Sequence, residues 1–179
     1  MSILTGKEII KRVEKGDIFI EGFDPEKINP CSYNLCIGDR LMQYENEVVD
    51  CRESNPVKEI IIPEQGIILK KGEFYLARTK EKTITHNLQP MLEGRSSIAR
   101  LGLFVHVSAG FGDPGFNGYW TLELYPTKDI KIYPNIPICQ IWFSTIEGEV
   151  LEYKGKYQHN NGIQASKLYE DILEYQMLF

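Results

Sequence analysis

The sequence predicts a mainly β protein, a sandwich or barrel with a small helical addition. Runs such as Ile60-Ile61-Ile62 and Ile67-Ile68-Leu69 are too short and too β-branched for helices. Gly and Pro punctuate the chain between such runs, as a succession of short strands requires. The clearest helix signals stand apart from that alternation, close to the N-terminus. At 179 residues the chain suits one domain with an appended tail, divided here as a core over 1–152 and a closing segment over 153–179.

Thr5 can cap a helix that runs to Gly16, with Glu8 three residues on completing a capping box and Ile9, Ile10 and Val13 as its apolar stripe. Ile18-Phe19-Ile20 follows as a short strand, then turn formers through Asp24-Pro25 and Asn29-Pro30. Ser32 to Gly38 reads as a structural strand. Lys71-Gly72 makes a turn into a strand over Glu73 to Thr79. Further strands are predicted at Tyr119 to Leu124, Ile130 to Tyr133 and Ile138 to Phe143, and Glu147-Gly148 ends the β core. Leu168, Ile172 and Tyr175 at helical spacing predict a short amphipathic tail helix. There is no internal repeat and no low-complexity segment.

The net charge of −5 argues against a broad nucleic-acid footprint but leaves room for one nucleotide held by a local cation cluster. No run is apolar and long enough to span a bilayer or to serve as a leader, so a cytoplasmic protein without membrane contact is expected. Cys31, Cys36, Cys51 and Cys139 form no C-x-x-C pair and read as free thiols. A zinc deaminase needs H-x-E followed by P-C-x-x-C, and neither pattern is present, so no zinc is expected.

The chemistry concentrates between Gly94 and Leu124. Gly94 and Gly102 bracket one or two helical turns in which Ser96 and Arg100, four apart, share a face. Hydroxyls, a guanidinium and backbone N–H groups together suit a phosphate or an oxyanion. Further on, Glu123 stands between Leu122 and Leu124 in a strand. Either it points to solvent from an amphipathic strand, or it is a functional carboxylate.

The order G-R-S-S-x-A-R-L-G-L, A-G-F-x-D-P-G-F-x-G and T-L-E-L, from Gly94 to Leu124, resembles the dCTP deaminase family, relatives of the trimeric dUTPases. The resemblance covers roughly residues 3 to 168. It implies a distorted β-barrel or jelly roll of the dUTPase-like type, a homotrimer with sites between subunits, and hydrolytic deamination of dCTP to dUTP and ammonia without a protein-bound metal. Magnesium would arrive with the triphosphate. Glu123 would shuttle protons between water and the base, while Ser96, Arg100 and the Ala109 carbonyl orient the water. Arg95 and Ser97 would hold phosphates beside Ile98 and Ala99, and the backbone of Thr121 and Leu122 would read the pyrimidine edge. Asp113 would accept from the 3′-hydroxyl. Tyr153, Lys156, Tyr157 and Asn160 belong to a K-Y-x-x-Q-x-G-like segment that closes over the triphosphate, with Asn160 where the family has Gln and Lys167 where it has Arg.

Two features implied by the resemblance bear on the product. Gly110 stands where dUTP-forming deaminases carry His, and its missing side chain would let backbone approach the nucleotide; Gln140 matches the I-x-Q-L strand of dUMP-forming relatives. Against them, Gly112 replaces the usual isoleucine and would loosen the loop that aims Asp113. Two matches against one departure favour continuation to dUMP and pyrophosphate, which would supply dUMP for thymidylate synthesis. The alternatives are a dUTP diphosphatase without deaminase activity and a non-catalytic nucleotide-binding trimer.

Overall fold

The computed structural model describes the backbone of residues 2–177 and the side chains of residues 2–173. In chain order its elements are α1 (Gly6–Lys15), β1 (Ile18–Ile20), β2 (Tyr33–Tyr44), β3 (Val57–Ile61), β4 (Ile67–Leu69), β5 (Tyr75–Thr85) and β6 (Leu88–Gly94). Then follow α2 (Ser96–Ala99), β7 (Leu103–Val105), β8 (Asn117–Pro126), β9 (Ile130–Ile132), β10 (Pro137–Thr145) and α3 (Leu168–Met177). The mainly β expectation holds, with the longer helices at the two ends, a 3-10 turn over Pro25–Lys27 and a single turn of α-helix in the middle.

An antiparallel path runs β6-β10-β2-β5-β8-β7, with β1 added to β5 and β3 to β2; β4 and β9 form a separate pair. The long β2 makes this path curl. Its first residues pair with β10, and from Ile37 onward it pairs with β5 and, from Arg40, with β3. Register shifts in both ladders mark where it bends, since a bulge adds local twist. Leu35, Ile37, Leu92, Leu122, Leu124, Ile141 and Phe143 fill the interior that results.

At the N-terminus Thr5 caps α1 by accepting from the Glu8 N–H at 3.3 Å, and Gly16 ends it in the left-handed region at φ 81°. Only half of the expected capping box forms, because the Glu8 carboxylate turns to Arg12 Nε at 3.0 Å. In the tail, α3 appears where expected, but Leu168 is exposed and Ile172 only half-buried, and the Tyr175 side chain lies outside the described residues. Ion pairing of Asp171 with Lys156 ties α3 to the closing segment.

One buried charge sits at the bend. Glu81, 3% exposed, accepts from Lys27 Nζ at 2.9 Å and from the Cys36 N–H at 2.8 Å. The second bond satisfies a backbone donor at the irregularity in the β2–β10 pairing. Burial pulls the Lys27 ammonium down, but the hydrogen bond and charge of Glu81 outweigh it and hold its pKa above the ordinary 10.5. A raised pKa on a base stabilises the fold below its unfolded value, so this contribution is complete at neutral pH and fades only above pH 10.5. Lys27→Met leaves the Glu81 carboxylate without its counter-ion and is expected to cost about 3 kcal/mol in urea unfolding at pH 7. A loss below about 1 kcal/mol, the range of a surface pair, would contradict this account.

Candidate active site

β8 builds the site through its alternation. Leu122 and Leu124 are fully buried, so the intervening Thr121 and Glu123 must face the other way, over a cleft of about 510 Å³. The leucines beside Glu123 in sequence therefore do not dry its surroundings; they lie on the opposite face. Its cross-strand partner Leu76, also on the cleft, does.

His106, which the sequence reading passed over, stands against the acid. Its N–H donates to the Glu123 backbone carbonyl at 2.8 Å, continuing the β7–β8 ladder, and its own backbone turns to φ 53°. The buried imidazole Nδ1 lies 2.6 Å from Glu123 Oε2, yet the two are not aligned as a hydrogen bond. Neither ring nitrogen nor Oε2 makes a hydrogen bond to another group among the described residues, so the 2.6 Å contact is what holds imidazole and carboxylate against each other. The signal available in sequence was a single histidine between two valines, close to the motif.

From His106 the chain runs along the edge of β6. Leu92 N–H donates to Gly110 O at 2.8 Å, Met91 and Phe111 form a β-bridge, and Gly112 N–H donates to Pro90 O at 3.1 Å. A Cβ on Gly110 would lie 2.4 Å from the Leu92 carbonyl oxygen. The reason for this glycine is therefore docking against β6 rather than space beside a nucleotide. Gly112 likewise does not loosen the loop, for it is buried and pinned to Pro90. The stretch presents Ala109 and Asp113 to the cleft.

The closing segment forms the far wall. The Tyr119 N–H donates to the Asn160 carbonyl at 3.0 Å, and Asn160 Nδ2 donates back to Tyr119 O at 2.8 Å while Oδ1 accepts from the Gly162 N–H at 3.0 Å. Gln164 N–H donates to Thr121 Oγ1 at 3.0 Å. Buried Asn160 is thus an anchor for the segment, with both polar atoms engaged. Tyr153 and Tyr157 also line the cleft. Lys156 does not; its ammonium is taken by Asp171, whose hydrogen bond outweighs burial and raises its pKa.

The other expected site residues lie elsewhere in this chain. Ser96 and Ala99 line a second depression of about 520 Å³, which shares only His106 and Phe111 with the first. Arg95 donates to the Pro137 carbonyl at 3.2 Å, Ser97 and Arg100 are exposed, and Ile98 buries its side chain in the core. Gln140 is occupied by Ser32, whose hydroxyl donates to its Oε1 at 2.9 Å. The Leu122 side chain belongs to the core, which leaves only its backbone for recognition. Among the described residues no group of three or more His, Cys, Asp or Glu side chains is placed to hold a metal ion.

The dCTP deaminase-like family profile matches residues 3–146. Relatives named dCTP deaminase, dUMP-forming, include that of Hathewaya histolytica, 55% identical over 95% of this chain and 99% of its own. That of Cytophaga hutchinsonii is 54% identical over 95% of this chain and 98% of its own. In fold the chain is similar to the 2′-deoxycytidine 5′-triphosphate deaminase of Agrobacterium tumefaciens, with a TM-score of 0.63 at 20% identity over 79% of this chain. It spans about half of that longer chain, 47%. A β-barrel-like protein with an acid in an aromatic-walled cleft is thereby placed: the chain belongs to the dCTP deaminase-like family.

Proposed function

We propose that this protein deaminates dCTP and carries the product on to dUMP and pyrophosphate. The observation that carries this reading is the Glu123 carboxylate, turned into the cleft with its Oε2 2.6 Å from His106 Nδ1. A dUTP diphosphatase has no use for a proton shuttle there. Relatives 54–55% identical across almost the whole chain, all named as dUMP-forming, support the second step.

In the first step one water attacks C4 of the cytosine as N3 takes a proton, and collapse of the tetrahedral intermediate expels ammonia. Glu123 accepts the proton of the attacking water and returns it to the base. Its closeness to His106 fixes where the carboxylate stands. The Ala109 carbonyl can accept from the water. In the second step another water attacks the α-phosphorus while the bond to the bridging oxygen of the β-phosphate breaks, leaving dUMP and pyrophosphate. Asp113, exposed on the cleft, positions that water. Magnesium enters on the triphosphate of the substrate, with much of its own hydration kept.

The donors on and just after α2 complete the site from a neighbouring subunit. Ser96 and Arg100 face outward and are missing from their own cleft. Around them Leu101, Phe104, Val107 and Phe111 expose 60, 47, 76 and 68% of their surface, an apolar patch that an assembly would cover. A homotrimer meets both needs. None of the described helices is long and apolar enough to cross a membrane. The unpaired Cys31 and Cys51 on the surface suit a reducing, cytoplasmic setting.

Glu123→Gln keeps shape and loses the proton-accepting charge. Ammonia release from dCTP should fall by about 10²–10⁴-fold while nucleotide binding, read by thermal shift, stays close to normal. Near-normal ammonia release would remove Glu123 from the mechanism. Subunit sharing has its own check: Glu123→Gln and Arg100→Ala are each expected to be inactive, and unfolding and reassembling them together should restore activity in the mixed oligomers. No recovery from mixtures shown to contain both chains would place all the catalytic groups within one subunit.

A further inference from the structure

Asp113 is held between two fixed points. Behind it Gly112 is tied to Pro90, and ahead Gly115 donates its N–H to the Thr85 carbonyl. What fixes the first point is not on the loop. A Cβ built on Gly112 would lie 2.2 Å from Cη2 and 3.0 Å from Cζ3 of Trp120. The indole edge of Trp120 occupies the volume that any other residue at 112 would claim. Since Gly112 has no positive φ, its requirement is steric, imposed first by Trp120 and then by the Pro90 carbonyl oxygen, which a Cβ would approach to 3.0 Å.

Trp120 itself has little freedom. Its indole N–H donates to Thr83 Oγ1 at 2.8 Å and its backbone N–H to Thr79 Oγ1 at 3.0 Å, both within the barrel wall. On its other side the Phe116 ring packs at 4.7 Å between centroids, and Phe116 meets Tyr153 of the closing segment at 6.1 Å. The ring therefore stands on rigid strands and touches both sides of the Asp113 turn.

We propose that Trp120 is a positioning residue: its indole edge, seated against Gly112, sets where Asp113 stands and so governs passage from dUTP to dUMP. This rests on the dUMP-forming reading above. Trp120 and Gly112 are then a matched pair of sizes, large on the strand and absent on the loop. Trp120 borders the same cleft as Glu123, but its indole edge meets Gly112 and its ring meets Phe116, whereas Glu123 stands against His106 and Leu76, so the base chemistry depends on the indole less than the phosphate chemistry does.

The test is the product ratio from dCTP and magnesium, with ammonia release from the same reaction as internal reference. Trp120→Leu leaves a gap under Gly112, and the ratio of dUMP to dUTP should fall about tenfold or more while ammonia release falls less, as expected when a reacting group is displaced by a fraction of an ångström. Adding Gly112→Ala to Trp120→Leu places a methyl in that gap and should recover much of the ratio. Trp120→Phe, which keeps an aromatic ring but loses the edge over Gly112 and the bond to Thr83, serves if the leucine variant fails to fold; it too should lower the ratio. An unchanged ratio in a folded variant, or a fall that the double variant does not reverse, would overturn the inference. Absence of dUMP from the unsubstituted protein would overturn the dUMP-forming reading and this inference with it, whereas dUMP formation insensitive to Trp120 would overturn the inference alone.

Discussion

The site depends on the antiparallel pairing of β8 with β5. Tyr75 lies opposite Leu124, Leu76 opposite Glu123 and Ala77 opposite Leu122, so the two strands agree on which residues enter the core. Burying Leu122 and Leu124 is worth several kcal/mol together, at roughly 1.5–3 kcal/mol for each large apolar side chain. A slip of one residue would reverse every side chain, sending Glu123 inward without a partner and both leucines into the cleft. The apolar core thus sets the direction of the Glu123 carboxylate. The acid does nothing to hold the strand; the strand holds the acid.

Around that strand the cleft is assembled from pieces that borrow existing backbone edges. The Gly110-Phe111-Gly112 stretch zips onto β6 and carries Ala109 and Asp113 to one side. The segment around Asn160 runs along β8 and carries Tyr153 and Tyr157 to another. Close approach is the common requirement, and glycine supplies it at Gly110 and also at Gly118, where a Cβ would meet Asn160 backbone at 2.9 Å. The walls are thereby fixed to the barrel, and they also meet each other where the Tyr153 N–H donates to the Pro114 carbonyl at 2.8 Å and Gln158 Nε2 to the Gly115 carbonyl at 2.7 Å. Under the proposed function, a nucleotide entering between them meets backbone carbonyls and aromatic faces, and the cations proposed for its phosphates and water, Arg95 and Arg100, stand outside this cleft at the two ends of α2.

Much of this was legible in the sequence because it was local. Helix α1 announced its cap and its terminating glycine, and the β-branched runs announced their strands. Glu123 stood out as a carboxylate between two leucines. Features that depend on distant backbone were not legible. Gly110 looked like a nucleotide-facing glycine because its actual neighbour, the Leu92 carbonyl, is brought to it only by the fold. Gly112 looked like a weakness because its match is Trp120, eight positions on and across the loop. Glu81 gave no sign of burial, since its partners Lys27 and Cys36 lie more than forty residues away in sequence. Arg95, Ser96 and Arg100 were read in one motif with Glu123, yet the fold keeps them out of the cleft that Glu123 faces.

The central claim is that one cleft performs both hydrolyses, with Glu123 serving the base and Asp113 the α-phosphate. The most direct measurement is to follow dCTP with magnesium to full conversion and identify every product by chromatography. The account predicts one ammonia, one dUMP and one pyrophosphate for each dCTP consumed. Stoichiometric dUTP with no pyrophosphate would contradict it.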